Sequence, residues 1–170
     1  SSDPSDPDVV ASTIIDGENT RRGLACFTNE TEKTVIVGFT ITNGFSVEFD
    51  YNGDGDIDWW EDAGGGMYNY SSSPTLTNCT FTGNSTEYRA GGMSNGQSSN
   101  PTLTDCTFEN NTASDNGGAI YAIQDSDMVL ENCTIIGNTA LLGGGLFCDQ
   151  FTNADMTSCI IELNDAQNGG

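Results

Sequence analysis

The feature that most constrains the fold of this chain is an internal repeat of about 27 residues. Four segments of similar sequence occur in it, LTNCTFTGN (76–84), LTDCTFENN (103–111), LENCTIIGN (130–138) and MTSCIIELN (156–164). Their cysteines are 27, 27 and 26 positions apart, and the asparagines that close them keep the same spacing. A Gly-Gly pair followed by an apolar residue precedes each segment. Two landmarks that hold one spacing over four units predict an array of stacked structural repeats.

The residue pattern inside each unit predicts short β-strands. Strict alternation along LTNCTF (76–81) would place Cys79 and Phe81 on the inner face and Leu76 on the outer face. No stretch keeps a helical period of 3.6 residues. A unit of this length with Gly/Asn turns fits one coil of a parallel β-helix with three strands per coil. We therefore expect an all-β solenoid of about five to six coils, each of about 27 residues.

Stacked coils place equivalent side chains in columns, and two such columns follow from the repeat. The cysteines predict an internal ladder of Cys79, Cys106, Cys133 and Cys159. The asparagines predict a second ladder at a turn, formed by Asn84, Asn111, Asn138 and Asn164. Stacked amides can hydrogen-bond from one coil to the next. We expect one solenoid domain over residues 9–170, preceded by a linker or N-terminal arm at residues 1–8, SSDPSDPD.

The charge of the chain excludes several classes of function. It has 25 Asp and Glu against 4 Lys and Arg, a formal net charge of −21, and no histidine. Such a surface repels phosphate backbones and anionic lipids, so we expect no nucleic-acid partner and no direct membrane insertion. Catalytic systems and metal sites that need imidazole are excluded. The abundant oxygen donors suit hard cations, calcium above all.

An insertion in the first part of the array contains a calcium-loop pattern. If Phe39 matches Cys79, that coil covers positions 39–78, which is 13 positions more than the later coils cover. Residues 50–61, DYNGDGDIDWWE, place oxygen donors at loop positions 1, 3, 5, 7, 9 and 12, namely Asp50, Asn52, Asp54, Asp56, Asp58 and Glu61. Gly55 stands where the loop must turn sharply. We expect Asp56 to use its backbone carbonyl, Asp58 to act through water and Glu61 to be bidentate.

The calcium-loop pattern resembles the loops of EF-hand and dockerin proteins, over residues 50–61 only. Its flanks, GFSVEF before it and AGGG after it, do not predict paired helices. The ligands are therefore carried over, with calcium as the cofactor of an insertion at 50–62, but the helix–loop–helix fold is not. The alternative is an acidic, Gly-rich loop without a metal.

Six cysteines in an acidic chain could form disulfides or a row of buried thiols. Cys26 and Cys148 occupy equivalent positions about four coils apart, roughly 19 Å at ~4.8 Å per coil, which is too far to bridge. The ladder cysteines have parallel side chains, so their Cβ atoms lie about 4.8 Å apart, beyond the usual disulfide range. We favour free thiols that pack as small apolar groups.

Catalysis would need residues that the pattern does not single out. A glycosidase needs two carboxylates at a defined separation. The available acidic residues form no distinguishable pair; they include Asp105, Glu109, Asp125, Asp127 and Glu131. We therefore assign no catalytic residue and expect no enzyme. A polysaccharide lyase, a glycosidase or a carbohydrate-binding module is the alternative.

The repeats resemble those of bacterial surface proteins. GGAI (117–120), FTGN (81–84) and FENN (108–111) match the GGA-[ILV] and F-x-x-N motifs of polymorphic outer-membrane proteins, which are adhesins. NPTLTDCTF and GFTITNG also resemble repeats of large secreted right-handed β-helix proteins of environmental bacteria. This resemblance implies a right-handed solenoid with an extracellular or cell-surface location and a structural or adhesive role. Glycans or host surfaces would then be possible partners.

The last residues of the sequence suggest self-association. Gly169 and Gly170 stand where the Gly-Gly landmark of a further coil would begin. An open solenoid edge offers unpaired backbone groups to another strand. We expect either subunits that stack into a calcium-stabilised surface filament or neighbouring repeats of a larger adhesin.

Overall fold

A computed structural model describes residues 3–27, 29–46, 63–149 and 151–168, which form 21 short strands and one short helix. In chain order the elements are α1 (Pro7–Ser12), β1 (Ile14–Asp16), β2 (Leu24–Cys26), β3 (Val35–Val37), β4 (Thr40–Thr42), β5 (Phe45–Ser46), β6 (Met67–Tyr70), β7 (Thr75–Thr77), β8 (Thr80–Thr82), β9 (Ser85–Thr86), β10 (Met93–Gly96), β11 (Thr102–Thr104), β12 (Thr107–Glu109), β13 (Thr112–Ala113), β14 (Ile120–Ala122), β15 (Met128–Glu131), β16 (Thr134–Ile136), β17 (Thr139–Ala140), β18 (Leu146–Cys148), β19 (Ala154–Thr157), β20 (Ile160–Glu162) and β21 (Asp165–Ala166).

The strands form four parallel sheets in which neighbours come from successive coils. Sheet I is β1-β4-β8-β12-β16-β20, sheet II is β5-β9-β13-β17-β21, sheet III is β2-β6-β10-β14-β18 and sheet IV is β3-β7-β11-β15-β19. From β4 onward the chain visits the sheets in the order I, II, III, IV and then returns to sheet I, so it winds a parallel solenoid as predicted. Three strands per coil were expected. The coils have a fourth strand, which belongs to sheet II. The strands of this sheet are only two residues long and come just after the position of the asparagine ladder.

The sheet register locates the insertion. Thr40 pairs with Thr80, 40 positions later, whereas Thr80 pairs with Thr107, 27 positions later. In sheet II, Ser46 pairs with Thr86, and just beyond it Ala63 bridges to Arg89. Thr86 and Arg89 are separated only by residues 87 and 88. Ser46 and Ala63, in the preceding coil, are separated by residues 47–62. The extra residues of the long coil therefore lie between 46 and 63, as the sequence predicted.

The core is a stack of like side chains inside the coils. Phe81 and Phe108 are fully buried, and their rings stack with centroids 4.7 Å apart and planes 2° from parallel. Met67 lies against Met93 on sheet III, and both are fully buried. Burial of each such side chain contributes about 1.5–3 kcal/mol. Because every coil repeats the same columns, stability comes from contacts between neighbouring coils.

The predicted outward position of Leu76 was wrong. Leu76 is fully buried, and so is Cys79 three residues later. The intervening Asn78 has φ of +50°, in the left-handed region, where it turns the chain between sheets IV and I. This corner resets the alternation, so that side chains on both sides of it point inward. Asp105 and Asn132 adopt the same conformation in the following coils.

A short helix precedes the first strand, although the sequence showed no helical period. Pro7 stands in its first turn, and the Asp6 side chain accepts a hydrogen bond from the Asp8 amide, 3.0 Å away. Both are ordinary features of a helix start. Val10 is buried, and its carbonyl accepts a hydrogen bond from Thr40 Oγ1. The helix is too short to show a 3.6-residue period, so the capping residues were the only available signal.

Candidate functional site

The asparagine ladder is continuous through four coils, as the sequence predicted. Asn84 Nδ2 donates to Asn111 Oδ1 at 2.9 Å, Asn111 Nδ2 donates to Asn138 Oδ1 at 2.9 Å, and Asn138 Nδ2 donates to Asn164 Oδ1 at 2.9 Å. Asn84, Asn111 and Asn138 are at most 1% exposed. The amides therefore form one hydrogen-bonded column inside the corner between sheets I and II.

Each inner rung of this ladder is fully satisfied. Asn111 Oδ1 accepts from both the backbone N–H and the Nδ2 of Asn84, and Asn111 Nδ2 also donates to the Phe81 carbonyl at 2.9 Å. The backbone N–H can bond only to an oxygen, so it fixes which side-chain atom is Oδ1. At the N-terminal end the column stops at Gly44, whose N–H donates to Asn84 Oδ1 at 2.8 Å. The ladder thus ties successive coils through side chains as well as strands.

A second ladder of hydroxyls was missed in the sequence. Ser72 N–H donates to Ser99 Oγ at 3.1 Å, and Ser99 N–H donates to Ser126 Oγ at 3.2 Å. All three serines are at most 1% exposed. The hydroxyl groups of Ser99 and Ser126 each donate a hydrogen bond to the backbone carbonyl three residues earlier, at 2.6 Å. These serines have the same spacing as the cysteines, and that spacing could have revealed the ladder in the sequence. It was overlooked because the chain contains many other serines.

The cysteine column lies in the core as free thiols. Cys79, Cys106 and Cys133 are each 1% exposed, and Cys159 in the last described coil is partly exposed. Cys133 Sγ lies 3.6 Å from the Leu103 carbonyl, to which it donates. Hydrogen bonds in which the Cys106 S–H is the donor to Cys133 and Cys79, together with burial, raise the pKa of the Cys106 thiol. That thiol is therefore neutral and serves as a small packing group.

The other two cysteines, Cys26 and Cys148, occupy the same column of sheet III but lie in coils far apart from each other. The register runs from Cys26 through Asn69, Asn95 and Ala122 to Cys148. Four coil steps separate the two thiols, as expected from the sequence, and both are free. Burial, reinforced by the negative charge of Glu30, raises the pKa of Cys26 to about 11.

The six predicted calcium ligands, Asp50, Asn52, Asp54, Asp56, Asp58 and Glu61, lie outside the described residues. Within the described ranges, no group of three or more Cys, Asp or Glu side chains is arranged to hold a metal. The described part of the chain does contain the two residues that flank the insertion, Ser46 and Ala63.

Arg22 contacts both ends of the insertion. Its Nη2 donates to the Ala63 carbonyl at 2.7 Å and to Ser46 Oγ at 3.3 Å, and its Nε donates to the Gly64 carbonyl at 3.0 Å. The guanidinium lies over the ring of Tyr68, 5.0 Å from its centroid, and Tyr68 is only 2% exposed. We call Arg22, Ser46, Ala63 and Gly64 the insertion base.

A second guanidinium stands one coil further on, beside the insertion base. Arg89, the bridge partner of Ala63, places its Nε 3.5 Å from Asp115 Oδ2 and its guanidinium 5.3 Å from the centroid of the Tyr121 ring. Burial raises the pKa of Tyr121 to about 12, so its hydroxyl stays protonated. Two of the four basic residues of the chain thus pack on aromatic rings of sheet III.

A groove of mixed polar and apolar lining separates α1 from the outer face of sheet I. Its volume is about 410 Å³, and it is lined by Ser5, Pro7, Val10, Ala11, Thr40, Asn78, Thr80, Thr82, Asp105, Thr107 and Glu109. Two of the carboxylates considered for catalysis, Asp105 and Glu109, therefore face one groove. Asp127 lies elsewhere, in a turn where it accepts a hydrogen bond from Asn153 N–H at 2.8 Å. Glu131 lies on sheet IV between Thr104 and Thr157.

The last described coil exposes residues that are buried in the coils before it. Ile161 belongs to the column of Phe81 and Phe108 but is 47% exposed. Met156 belongs to the column of fully buried Leu130 and is 44% exposed. We call the face formed by Leu146, Met156, Ile161 and Asn164 the open coil edge. It carries the apolar side chains that would pack against a further parallel coil.

Comparison with known proteins supports the observed architecture. The family description of a right-handed beta helix region matches residues 2–169, nearly the whole chain. No curated protein and no solved structure gave a match. Among the described residues, no helix has the length and apolar character needed to cross a membrane.

Proposed function

Because the chain belongs to the family of right-handed β-helix proteins, we propose that it is an extracellular structural or adhesive solenoid, stabilised by calcium and able to assemble with further coils. The fold occurs in enzymes and in non-enzymes, so the proposal rests on features of this chain. Its net charge of −21 and its lack of histidine favour a structural role in a setting rich in divalent cations. The sequence resemblance supports a bacterial surface location.

The open coil edge is the observation that carries this proposal. Ile161 and Met156 present apolar surface at the ends of two columns, and their neighbours in the preceding coil, Ile135 and Leu130, are fully buried. β18, β19, β20 and β21 are the outermost described strands of their sheets, so each has one side available for pairing. Such a coil could belong to further repeats of a longer chain or to a second copy of the chain added there, and either would extend the columns and the sheets. Repeated addition of this kind gives a filament.

We expect Ile161→Lys to weaken self-association at least tenfold. A lysine at this position would place a charge in the column that a second copy must bury, and loss of one buried isoleucine contact costs about 1.5–3 kcal/mol, which is at least tenfold in affinity. Sedimentation velocity over a wide concentration range, with calcium present, measures the effect. Val129→Lys is the matched control, since Val129 is 45% exposed on the side of the solenoid. A parent chain that stays monomeric at high concentration would contradict assembly between copies.

The frame around the insertion supports the calcium proposal. In an EF-hand, helices bring the first and last ligands of the loop together. Here Ser46 pairs with Thr86 and Ala63 bridges to Arg89. Thr86 and Arg89 are three positions apart, so roughly 11 Å of extended chain is the most that can separate these two residues. Their partners Ser46 and Ala63 are held at a similar separation. The solenoid therefore closes the insertion and reduces the entropy that an isolated loop would lose on binding an ion.

Calcium titration tests this part of the proposal. We expect one calcium per chain with a dissociation constant of about 10⁻⁴ M or lower, in the range of extracellular modules and sensors. Glu61→Gln should weaken binding at least tenfold because it removes the bidentate ligand. Glu87→Gln, in the corresponding segment of the next coil, should change nothing. Calorimetry that finds no binding below the millimolar range would rule out the calcium site.

Glycan binding is a second candidate function, favoured by the groove beside sheet I. Its hydroxyls and its two carboxylates, Asp105 and Glu109, can bond to sugar hydroxyls, and the charge of the chain favours neutral or cationic glycans over uronates. A glycan array tests binding, and an absorbance assay for unsaturated uronates tests lyase activity. Binding that Thr107→Val does not weaken would place the glycan site elsewhere.

A further inference from the structure

A separate pair of buried amides lies inside sheet III, in a column of its own. Asn69 and Asn95 are partners in the register of β6 and β10, and both are fully buried. Asn69 Nδ2 donates to Asn95 Oδ1 at 2.8 Å. The column continues to Cys26 on one side and to Ala122 and Cys148 on the other. An amide therefore stands on two neighbouring coils of this column and on no other described coil.

This amide pair satisfies few of its hydrogen-bonding groups. Within the part of the chain that the structure describes, Asn69 Oδ1 and Asn95 Nδ2 are buried without a hydrogen-bond partner. In the asparagine ladder, by contrast, Asn111 accepts two hydrogen bonds and donates two. A buried polar atom without a partner costs free energy, whereas apolar groups of the same shape carry no such cost. Stability alone therefore does not account for amides at these two positions.

The neighbouring columns do not distinguish one coil from the next. Met67 pairs with Met93, and the paired strands β7 and β11 have the same sequence, Thr-Leu-Thr. The asparagine ladder is likewise the same on four coils. A coil that skipped its neighbour and paired with the coil after it would still find apolar partners and a ladder amide. Misassembly of this kind, within one chain or between two, is a characteristic failure of repeat proteins.

We propose that Asn69 and Asn95 specify which coils become neighbours, at a cost in stability. In the native order each amide has one partner. If β6 paired with β14 instead of β10, Asn69 would lie beside Ala122 and its amide would be buried without any partner. Buried asparagines fix the register of coiled coils in the same manner. This inference depends neither on calcium binding nor on self-association.

Two double variants separate specification from packing. Leucine has the branched shape of asparagine without its polar atoms, so Asn69→Leu/Asn95→Leu removes the amide pair and fills its space. The matched control is Met67→Leu/Met93→Leu, which changes the other fully buried column of the same two strands and conserves volume without any polar group. Asn95→Leu alone is the third variant, because it leaves the Asn69 amide without its partner.

The buried cysteines report whether the coils have stacked in the native order. Cys79, Cys106 and Cys133 are each 1% exposed, so their thiols are protected from maleimide in the native fold. A coil that is looped out exposes its cysteine. Each protein is unfolded in urea with a reducing agent and refolded, and its protected thiols are counted by labelling and mass spectrometry.

We expect the amide double variant to refold less faithfully without being less stable. The fraction of molecules with all three thiols protected should fall at least about twofold in Asn69→Leu/Asn95→Leu and stay at the parent's value in the methionine control. The urea midpoint of the amide double variant should equal or exceed that of the parent, whereas that of Asn95→Leu should be lower.

Three results would overturn the proposal. The first is an unchanged protected fraction in the amide double variant. The second is a double variant that does not fold or that has a urea midpoint below the parent's, because the amides would then stabilise the coils rather than specify their order. The third is an equal loss of protection in the methionine control, since a general sensitivity of these two strands would then explain the result.

Discussion

Asn111→Ala is expected to destabilise the solenoid by about 4 kcal/mol, since each buried polar group left without a partner costs about 1–3 kcal/mol. The substitution removes the acceptor of the Asn84 N–H and Nδ2 and the donor to the Phe81 carbonyl and to Asn138 Oδ1. Asn111 is fully buried, so water cannot replace these partners. Urea unfolding followed by circular dichroism measures the loss.

The adjacent asparagine provides the control. Asn110 is exposed and has φ of +54°, in a corner position that Gly83 and Gly137 occupy in the neighbouring coils. Asn110→Gly should therefore change the unfolding free energy by less than about 0.5 kcal/mol. If both variants lost the same stability, the buried ladder would have no special part in holding the coils together.

Gly118→Ala is expected to be equally severe, at about 4 kcal/mol or complete loss of folding, because overpacking against fixed atoms belongs to the most damaging substitutions. A methyl group on Gly118 would overlap the carbonyl oxygen of Gly144 in the next coil and lie 2.7 Å from the amide nitrogen of Thr139. Both are backbone atoms of the neighbouring coil, which cannot move without breaking the register of sheets II and III. The yield of folded protein and its thermal midpoint report the effect.

A second glycine distinguishes close packing from a general effect of replacing glycine by alanine. A methyl group on Gly96, also buried, would lie 3.7 Å from the Tyr68 hydroxyl and 3.8 Å from Ile123 Cγ2, which are ordinary contacts. Gly96→Ala should therefore leave stability unchanged or raise it by about 0.5 kcal/mol, through the lower entropy of the unfolded chain. A loss in Gly96→Ala as large as that in Gly118→Ala would mean that packing between coils is not the cause.

Periodicity made most of the fold predictable. The spacing of cysteines and asparagines yielded the parallel solenoid, the asparagine ladder and the position of the insertion, because equivalent residues must stack when each coil has the same length. The inward position of Leu76 was not predictable by strict alternation, since the left-handed conformation of Asn78 resets it. A two-residue strand, such as those of sheet II, is likewise too short for a recognisable pattern.

The candidate site was predictable only where it repeats. The serine ladder has the spacing of the coils and could have been found from it. Arg22 contacts Ser46 and Ala63, which lie 24 and 41 positions away in the sequence. A residue that acts once, across a coil of exceptional length, leaves no periodic trace. Its contacts with both ends of the insertion are visible only in three dimensions.

The asparagine ladder makes the two ends of the solenoid chemically different. Every rung donates from Nδ2 toward the later coil and accepts at Oδ1 from the earlier one. At Asn164 the column therefore faces outward with donor hydrogens. Two copies brought together through this end would oppose donor to donor, so the ladder disfavours a two-fold symmetric dimer there. If copies of the chain add at this edge, the ladder therefore favours polar growth, in which each added coil runs in the same direction as the coil beneath it.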